Sequence, residues 1–288
     1  MNPLAPAPSF GPLVIAAVLA AALLHAAWNS IAHGIGDRLV GFGMIGVADV
    51  VGGGALVAVA GWPAPGAWPY IVGSAVAHIG YNLLLLASYQ LGEFSQAYPL
   101  ARGTAPLVVA PASVLVLHKP LTAHELAGVL AVSAGLVALV LAGGLPGREE
   151  LPAVAAAVAT GLLIALYTVI DGVGVTRGPL LAYIGWMFLL QGPALPALAV
   201  LRRGRHLTPA LRRHALPGLT GGAISLAAYS IVLWAQTSGA LAPVAALRES
   251  SIVFGALIGA LFLHEPLGHR RAAAAAVVLA GVLLLSTA

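Results

Sequence analysis

The stretch YPLARGTAPLVVAPASVLVLHKPL, residues 98–121, returns in altered form as VAALRESSIVFGALIGALFLHEPL, residues 244–267. The two stretches align without a gap at a constant offset of 146 residues. Arg102 then matches Arg248, and both stretches end in a His-x-Pro-Leu sequence. Because an arginine inside an apolar run and a shared terminus fall at the same register, the pattern indicates an internal repeat rather than a chance likeness of two Leu- and Ala-rich segments.

The composition surrounding these stretches is that of a membrane protein. Of 288 residues, 60% are hydrophobic and 8% are charged, whereas a soluble domain carries roughly 25% charged residues. Soluble enzymes and disordered chains are thereby excluded. A helix that spans a bilayer needs about 20 apolar residues. Apolar runs predict ten spans, at 13–33, 39–61, 67–90, 95–117, 122–143, 150–171, 179–201, 214–237, 241–263 and 268–287, with 202–213 as the longest loop.

The repeat divides these spans into two sets of five. We expect a first five-helix repeat over residues 1–144 and a second over 145–288. Since five is an odd number, the second repeat must enter the membrane from the opposite side. The predicted fold is an all-α integral membrane protein of ten transmembrane helices in two inverted repeats, an organisation typical of secondary transporters.

Several classes of site are not predicted. The chain has no cysteine, so it has no thiolate zinc site and no cysteine nucleophile. It has no P-loop sequence for ATP, no HExxH zinc motif and no Ser-His-Asp pattern. We therefore expect neither enzyme activity nor a cofactor or metal. The net charge of +4 is attributed to basic loops rather than to nucleic-acid binding.

Arg102 and Arg248 are the most informative charges inside the predicted spans. A charge at the centre of a membrane helix costs at least about 2.5–3.5 kcal/mol, so each one needs a reason. Each arginine lies about seven residues into its span, and inverted repeats would bring both towards one region from opposite sides. A guanidinium binds carboxylate or phosphate oxygens through two hydrogen bonds. The alternative is a structural arginine that reaches the headgroups or pairs with a buried acid.

Two acids are candidates for proton coupling. A buried Glu249 can take up and release a proton, and its position next to Arg248 places the two about 100° apart on a helix, so they need not pair. Asp171, near the end of the sixth span, is the second candidate, with a helix-end carboxylate that reaches water as the alternative. Asp49 has no counterpart in the second half. The fourth span also contains three prolines, which predict a break beside Arg102.

Polar and aromatic side chains recur at helical spacing in the first and third spans. In each span a histidine is followed by an aromatic residue three positions on and by an asparagine four positions on, so all three share one face. Such stripes are predicted to line a substrate path, and the alternative is that they only bond neighbouring helices. The full set of predicted substrate-binding residues is His25, Trp28, Asn29, His78, Tyr81, Asn82, Tyr98, Arg102, Tyr167 and Arg248.

The sequence resembles the EamA-type transporters of the drug/metabolite transporter superfamily. The resemblance rests on YPLARGTAPL, on ALRESSIVFGALIGALFLHEPL, on HAAWN in the first span and on YTVIDGVG in the sixth. It implies ten helices in two inverted five-helix repeats and export of a solute. One departure is that His-Lys-Pro and His-Glu-Pro stand where the family usually has a Gly-Glu-x-Leu ending.

The resulting functional expectation is a secondary-active transporter. We expect export of a small polar or amphipathic metabolite by alternating access, with protons as a candidate coupling ion. The alternative is a flippase for a lipid-linked sugar or headgroup. The expected partners are a small-molecule substrate and membrane lipids, in a monomer or homodimer of the inner or plasma membrane. Nine of the eleven arginines and lysines in the predicted loops lie on one side of the membrane. Because basic loops face the cytoplasm, this count places both termini outside the cell. The resemblance implies instead that both termini face the cytoplasm.

Overall fold

A computed structural model describes residues 11–91, 94–118, 120–141, 147–262 and 269–286. Within these ranges the regular structure is entirely helical and consists of α-helices and single turns of 3₁₀ helix. The α-helices are α1 (Pro12–Gly34), α2 (Arg38–Ala60), α3 (Trp68–Leu91), α4 (Phe94–Leu117), α5 (Ala123–Leu141), α6 (Leu151–Gly174), α7 (Leu180–Gln191), α8 (Ala194–Arg203), α9 (Leu207–Gln236), α10 (Leu241–Arg248), α11 (Ser251–Phe262) and α12 (His269–Ser286).

Within the described residues, two pairs of these helices are joined by two-residue turns. Gly192 and Pro193 lie between α7 and α8, and Glu249 and Ser250 lie between α10 and α11. The described helices therefore follow one another as ten helical stretches. Six of them are long and apolar enough to cross a membrane, and 101–116, 123–138 and 273–285 are shorter apolar helices. The prediction of an all-helical membrane protein is confirmed.

The helices lie within a few residues of the predicted spans, with one clear exception. The predicted loop at 202–213 is wrong, because α8 continues to Arg203 and α9 already begins at Leu207. Gly204, with φ of +48°, makes the short turn between them. The Leu, Ala and Arg residues that follow are good helix formers, so the charged segment extends a helix instead of interrupting it.

The predicted break in the fourth span is also not observed. Helix α4 runs without interruption from Phe94 to Leu117 and contains all three prolines. The break occurs instead in the matching stretch of the second half, between α10 and α11. Prolines are tolerated in membrane helices when neighbouring groups satisfy the freed carbonyls. A discontinuous helix therefore does lie beside Arg102, but it belongs to the other half of the chain.

Local side-chain contacts explain where two of the helices begin. Asp37 caps α2, because its Oδ1 accepts a hydrogen bond from the backbone N–H of Val40 at 3.2 Å. Thr122 and Glu125 form a reciprocal capping box at the start of α5, with distances of 2.7 and 3.2 Å.

The packing of the helices follows a paired pattern. Helix α6 packs against α3 and α4, while α1 packs against α9 and against α10 and α11. Helix α2 packs against α7 and α9, and α5 packs against α12. The buried core is built mainly from small and branched side chains, and every residue of α10 is buried.

Glycines bring α2 and α7 into direct backbone contact. A Cβ atom on Gly53 would lie 2.7 Å from the Leu189 nitrogen and 2.8 Å from the Gly185 oxygen. The contact is reciprocal, since a Cβ on Gly185 would lie 3.1 Å from the Gly53 oxygen. Seven residues earlier, Gly46 meets Gly192 in the same way. Small residues of this kind hold membrane helices together through close approach of their backbones.

Replacing Gly53 with alanine is expected to destabilise the protein by about 1–3 kcal/mol, because the new methyl group meets backbone atoms that have no room to move. The matched control is Gly54→Ala, whose Cβ would meet only the Leu189 Cδ1 atom, at 4.0 Å. That change should be neutral or stabilising, by up to about 1 kcal/mol. Unfolding of both variants in detergent measures the difference. Equal stabilities would contradict the close contact.

The ends of α2 are held against the second half by different contacts. At its N-terminal end, Asp37 pairs with Arg203 at 2.8 Å. At its C-terminal end, Trp62 stacks on Trp186 with ring centroids 4.6 Å apart, and the Trp186 indole N–H donates to the Gly61 oxygen at 3.1 Å. Helix α2 is therefore fixed to α7 and α8 along its whole length.

Candidate functional site

A buried ion pair joins α4 to the junction between α10 and α11. The Nε atom of Arg102 lies 2.9 Å from Oε2 of Glu249. The Nη2 atom of Arg102 also donates a hydrogen bond to the Ser251 hydroxyl at 3.2 Å. Arg102 is 1% exposed and Glu249 is fully buried. Because an unpaired charge here would be strongly destabilising, these contacts hold α4 against the junction.

The junction itself is a tightened helical turn. The Glu249 N–H donates to the Ala246 oxygen and the Ile252 N–H donates to the Glu249 oxygen, both at 3.1 Å. These bonds link residues three apart, in place of the four-residue spacing of an α-helix. The turn places Arg248, Glu249 and Ser251 together in the core, where α10 ends and α11 begins. Discontinuous helices of this kind form the binding sites of many secondary transporters.

Arg248 lies on the other side of the same carboxylate. Its Nε atom is 3.7 Å from Oε1 of Glu249, so the two neighbours do approach each other although their helical positions diverge. The guanidinium carbon also lies 6.0 Å from the centre of the Tyr167 ring. Arg248 is 2% exposed, and its Nη2 atom has no hydrogen-bond acceptor among the described residues. Arg248 therefore retains hydrogen-bonding capacity for a ligand.

Four rings, of His78, Tyr81, Tyr167 and Tyr229, form what we call the aromatic cluster. His78 stacks on Tyr167 with ring centroids 3.8 Å apart and planes 23° apart. Tyr81 meets Tyr167 edge-on at 5.6 Å, and Tyr229 meets His78 edge-on at 5.0 Å. The cluster joins α3, α6 and α9 and gives the site one aromatic wall next to Arg248.

Hydrogen bonds to Ser74 set the orientation of the His78 ring. The Nδ1 atom of His78 lies 3.0 Å from the Ser74 carbonyl oxygen, one turn earlier in α3. A carbonyl can only accept, so this contact places a proton on Nδ1. The Ser74 hydroxyl lies 3.2 Å from the same nitrogen and 3.3 Å from the Met187 sulfur. The histidine is therefore held by its own helix while its face packs on Tyr167.

Asp171, at the end of α6, is fully buried and bonded to tyrosines. The Tyr183 hydroxyl donates to its Oδ1 atom at 2.7 Å, and the Tyr229 hydroxyl donates to Oδ2. The carboxylate is 0% exposed, so it does not reach water, which was the alternative considered for it. Tyr229 thus contacts both the Asp171 carboxylate and the other rings of the aromatic cluster.

Arg248 links these groups electrostatically. It interacts with six ionisable groups of the site, and Arg102 interacts with three of the same groups, His25, Tyr167 and Glu249. The groups that interact with Arg248 are His25, His78, Tyr167, Asp171, Tyr229 and Glu249. The site is therefore one connected cluster that draws on α1, α3, α4, α6, α9 and α10.

The polar stripe of α1 bonds mostly to itself. The Trp28 indole N–H donates to Nδ1 of His25 at 3.1 Å, and the Asn29 amide donates to the His25 carbonyl oxygen at 2.8 Å. Trp28 and Asn29 are buried, whereas His25 is half-buried. The His25 Nε2 atom is buried without a hydrogen-bond partner among the described residues. Of this stripe, His25 is the residue that extends towards the arginines.

The remaining predicted residues have different positions. Asn82 is half-buried in α3 and lies outside the aromatic cluster, whereas Tyr81, one position earlier, belongs to it. Tyr98 falls within α4, and its side chain lies outside the described residues, as does the whole His-Glu-Pro sequence at 264–266.

Four side chains of the site lie outside the predicted set of binding and proton-coupling residues: Ser74, Tyr183, Tyr229 and Ser251. Tyr183 bonds to Asp171 from twelve residues away, across the turn between α6 and α7. Ser74 and Ser251 bond to His78 and Arg102. Ser74 was detectable, since it lies one helical turn before His78. Tyr183 lies in an apolar run without polar periodicity, so nothing near it in the sequence indicated its role.

Comparison with known proteins agrees with this architecture. One solved crystal structure aligns with a TM-score of 0.73 over 95% of this chain and 98% of its own, at 20% identity. At that identity the likeness shows the fold alone. No curated protein is significantly similar in sequence.

A family model, in contrast, matches the second half of the chain. The match is to the EamA-like transporter family and covers residues 151–287. This segment holds α6 to α12, and with them Asp171, Tyr229, Arg248 and Glu249. The fold and the match together show a multi-helix membrane protein whose second half, residues 151–287, is similar to the EamA-like transporter family.

Proposed function

We propose that the protein is a secondary-active transporter that exports a small amphipathic metabolite with an acidic group. The observation that carries the proposal is the convergence of Arg102 and Arg248 on one buried carboxylate, that of Glu249. Within ion-pair distance, Glu249 can balance only one of the two guanidiniums. Arg248, which has a free donor and faces Tyr167, is the side chain best suited to bind an anionic group.

The aromatic cluster accounts for the rest of the proposed substrate. The stack of His78 on Tyr167 and the edges of Tyr81 and Tyr229 offer apolar and π surfaces within reach of the Arg248 charge. A solute with a carboxylate or phosphate at one end and an apolar or ring portion at the other would satisfy both. His25, which interacts with both arginines, would contribute from α1.

Alternating access between two inverted repeats, 1–144 and 145–288, is the proposed mechanism. The contacts between helices support it when the ten helical stretches are numbered in chain order, with α7–α8 and α10–α11 each counted as one. If each stretch is replaced by the one five places along, each of these helix–helix contacts becomes another observed contact. The pairing of α3 with α6 corresponds to that of α9 with α1, and the pairing of α4 with α6 corresponds to that of α10 and α11 with α1. The pairs α2 with α7 and α5 with α12 correspond to themselves. Such pseudo-symmetry is the basis of rocking between repeats in other transporters.

A metabolite comparison tests the proposed export. Cells that overproduce the protein are expected to release at least one acidic, amphipathic compound into the medium, and deletion cells to retain it. Cells that produce equal amounts of Arg248→Met protein serve as the inactive control, and cells with Arg177→Gln as the matched arginine change outside the site. Unchanged media would count against export. A difference confined to lipid-linked compounds would favour a flippase of the cell membrane.

A further inference from the structure

The site contains two buried carboxylates, and their surroundings differ. Glu249 lies between the guanidiniums of Arg102 and Arg248, at 2.9 and 3.7 Å. Protonation of Glu249 would leave two buried positive charges without a counter-charge. Removing one partner of a buried ion pair costs several kcal/mol, so Glu249 is expected to remain ionised throughout transport.

Asp171 lies among hydroxyl groups instead of cations. Tyr183 and Tyr229 donate to its two oxygens, and the Ser74 hydroxyl is close enough to interact with it. Among the described residues it forms no ion pair within 4.0 Å. A proton on Asp171 therefore removes a buried charge without breaking an ion pair. By this comparison it is the better proton acceptor of the two.

The groups around Asp171 come from every helix that packs near it. One of them is a cation, Arg248, which acts on the carboxylate from beyond ion-pair distance. The others are neutral hydroxyls or rings. Among the described residues, those that interact with Asp171 are Ser74 from α3, Tyr167 from α6, Tyr183 from α7, Tyr229 from α9 and Arg248 from α10, and His78 contacts Ser74 and Tyr229 behind them.

We propose that Asp171 is the carboxylate that takes up and releases the coupling proton, and that Tyr229 transmits its protonation state to the aromatic cluster. The proposal rests on the transport function proposed above and assigns its proton step to one residue. An ionised carboxylate accepts hydrogen bonds from both tyrosines. Once protonated it must donate one, so one tyrosine hydroxyl has to turn and accept.

Tyr229 is the tyrosine that can turn. Tyr183 is 1% exposed and packs so closely on Gly174 that a Cβ there would lie 2.5 Å from its hydroxyl oxygen. Tyr229 is only half-buried, and its ring lies edge-on to both His78 and Tyr167, at 5.0 and 5.7 Å. A change at its hydroxyl therefore reaches the proposed substrate wall directly.

Infrared difference spectra of the purified full chain in lipid nanodiscs, recorded between neutral and acid pH, test the proposal. In the wild type we expect a protonated-carboxyl band on acidification. Asp171→Asn should lower the intensity of that band by the contribution of one carboxyl group per molecule. Tyr229→Phe should shift it, because a hydrogen bond to the carboxyl is lost. Glu249→Asp, which keeps the ion-pair charge, should leave it unaltered.

Two results would overturn the proposal: a band in Asp171→Asn that is as strong as in the wild type, or a band displaced by Glu249→Asp. If Asp171→Asn does not fold, the shift or constancy of the band in Tyr229→Phe decides. The spectra need no substrate. A protein that shows the Asp171 band but changes no metabolite in the medium would therefore disprove the transport function and leave the proton site standing.

Discussion

Replacing Glu249 with glutamine is expected to lower the free energy of unfolding by about 3–5 kcal/mol, the usual cost of removing one partner of a buried ion pair. Glu249 is the carboxylate within 4.0 Å of both Arg102 and Arg248. A neutral amide would leave two guanidiniums facing each other in a core where all three side chains are at most 2% exposed. Unfolding in detergent and the amount of protein in the membrane measure the effect.

The matched control for this change is Asp49→Asn. Asp49 is also buried, but among the described residues its one side-chain hydrogen bond is a long one from Gln191, at 3.4 Å. Its replacement should cost far less. The double variant Arg102→Gln with Glu249→Gln removes one charge of each sign and should recover part of the lost stability. A single Glu249→Gln variant as stable as the wild type would show that the carboxylate does not hold the arginines together.

Replacing Arg248 with methionine is expected to lower the initial rate of export by about 30-fold or more. Truncating one partner of a buried, hydrogen-bonded charge pair costs about 2–5 kcal/mol, and each 1.4 kcal/mol is about tenfold. The protein should still fold, because Glu249 keeps its closer partner, Arg102. The measurement is the release of the compound that distinguishes the two media, at equal protein levels in the membrane.

Two further variants separate charge from geometry at this position. Arg248→Lys keeps the positive charge and loses the planar pair of donors, so its rate should fall between those of wild type and Arg248→Met. Arg177→Gln removes an arginine that lies over Tyr70, away from the site, and should transport normally. Normal transport by Arg248→Met would remove the anion-binding role.

Much of the architecture followed from local patterns. The apolar runs predicted the helices because each run must satisfy its backbone within the membrane. The repeat singled out Arg102 and Arg248, and the structure brings both to one carboxylate. The histidine stripes identified His78 and Tyr81, which lie in the aromatic cluster together with Tyr167.

Other features depend on contacts between distant segments, which local patterns do not contain. Helical spacing alone separates Arg248 from Glu249, but two long side chains beside a tightened turn approach within 3.7 Å. The prolines of α4 predicted a break because the local sequence does not show the helices that pack on α4. Tyr183 reaches Asp171 only after α7 folds back on α6.

The arrangement of buried charges also has an electrical consequence. With Asp171 ionised, the charges of Arg102, Arg248, Glu249 and Asp171 balance. If Asp171 takes up a proton as proposed, one positive charge, that of Arg248, is left unbalanced. An anionic solute would restore neutrality. The site would then carry no net charge either empty or loaded, so neither state would meet the cost of about 2.3 kcal/mol per unit charge per 100 mV of membrane potential. Transport rates that do not change when a potassium–valinomycin potential is imposed would indicate that transport is electroneutral.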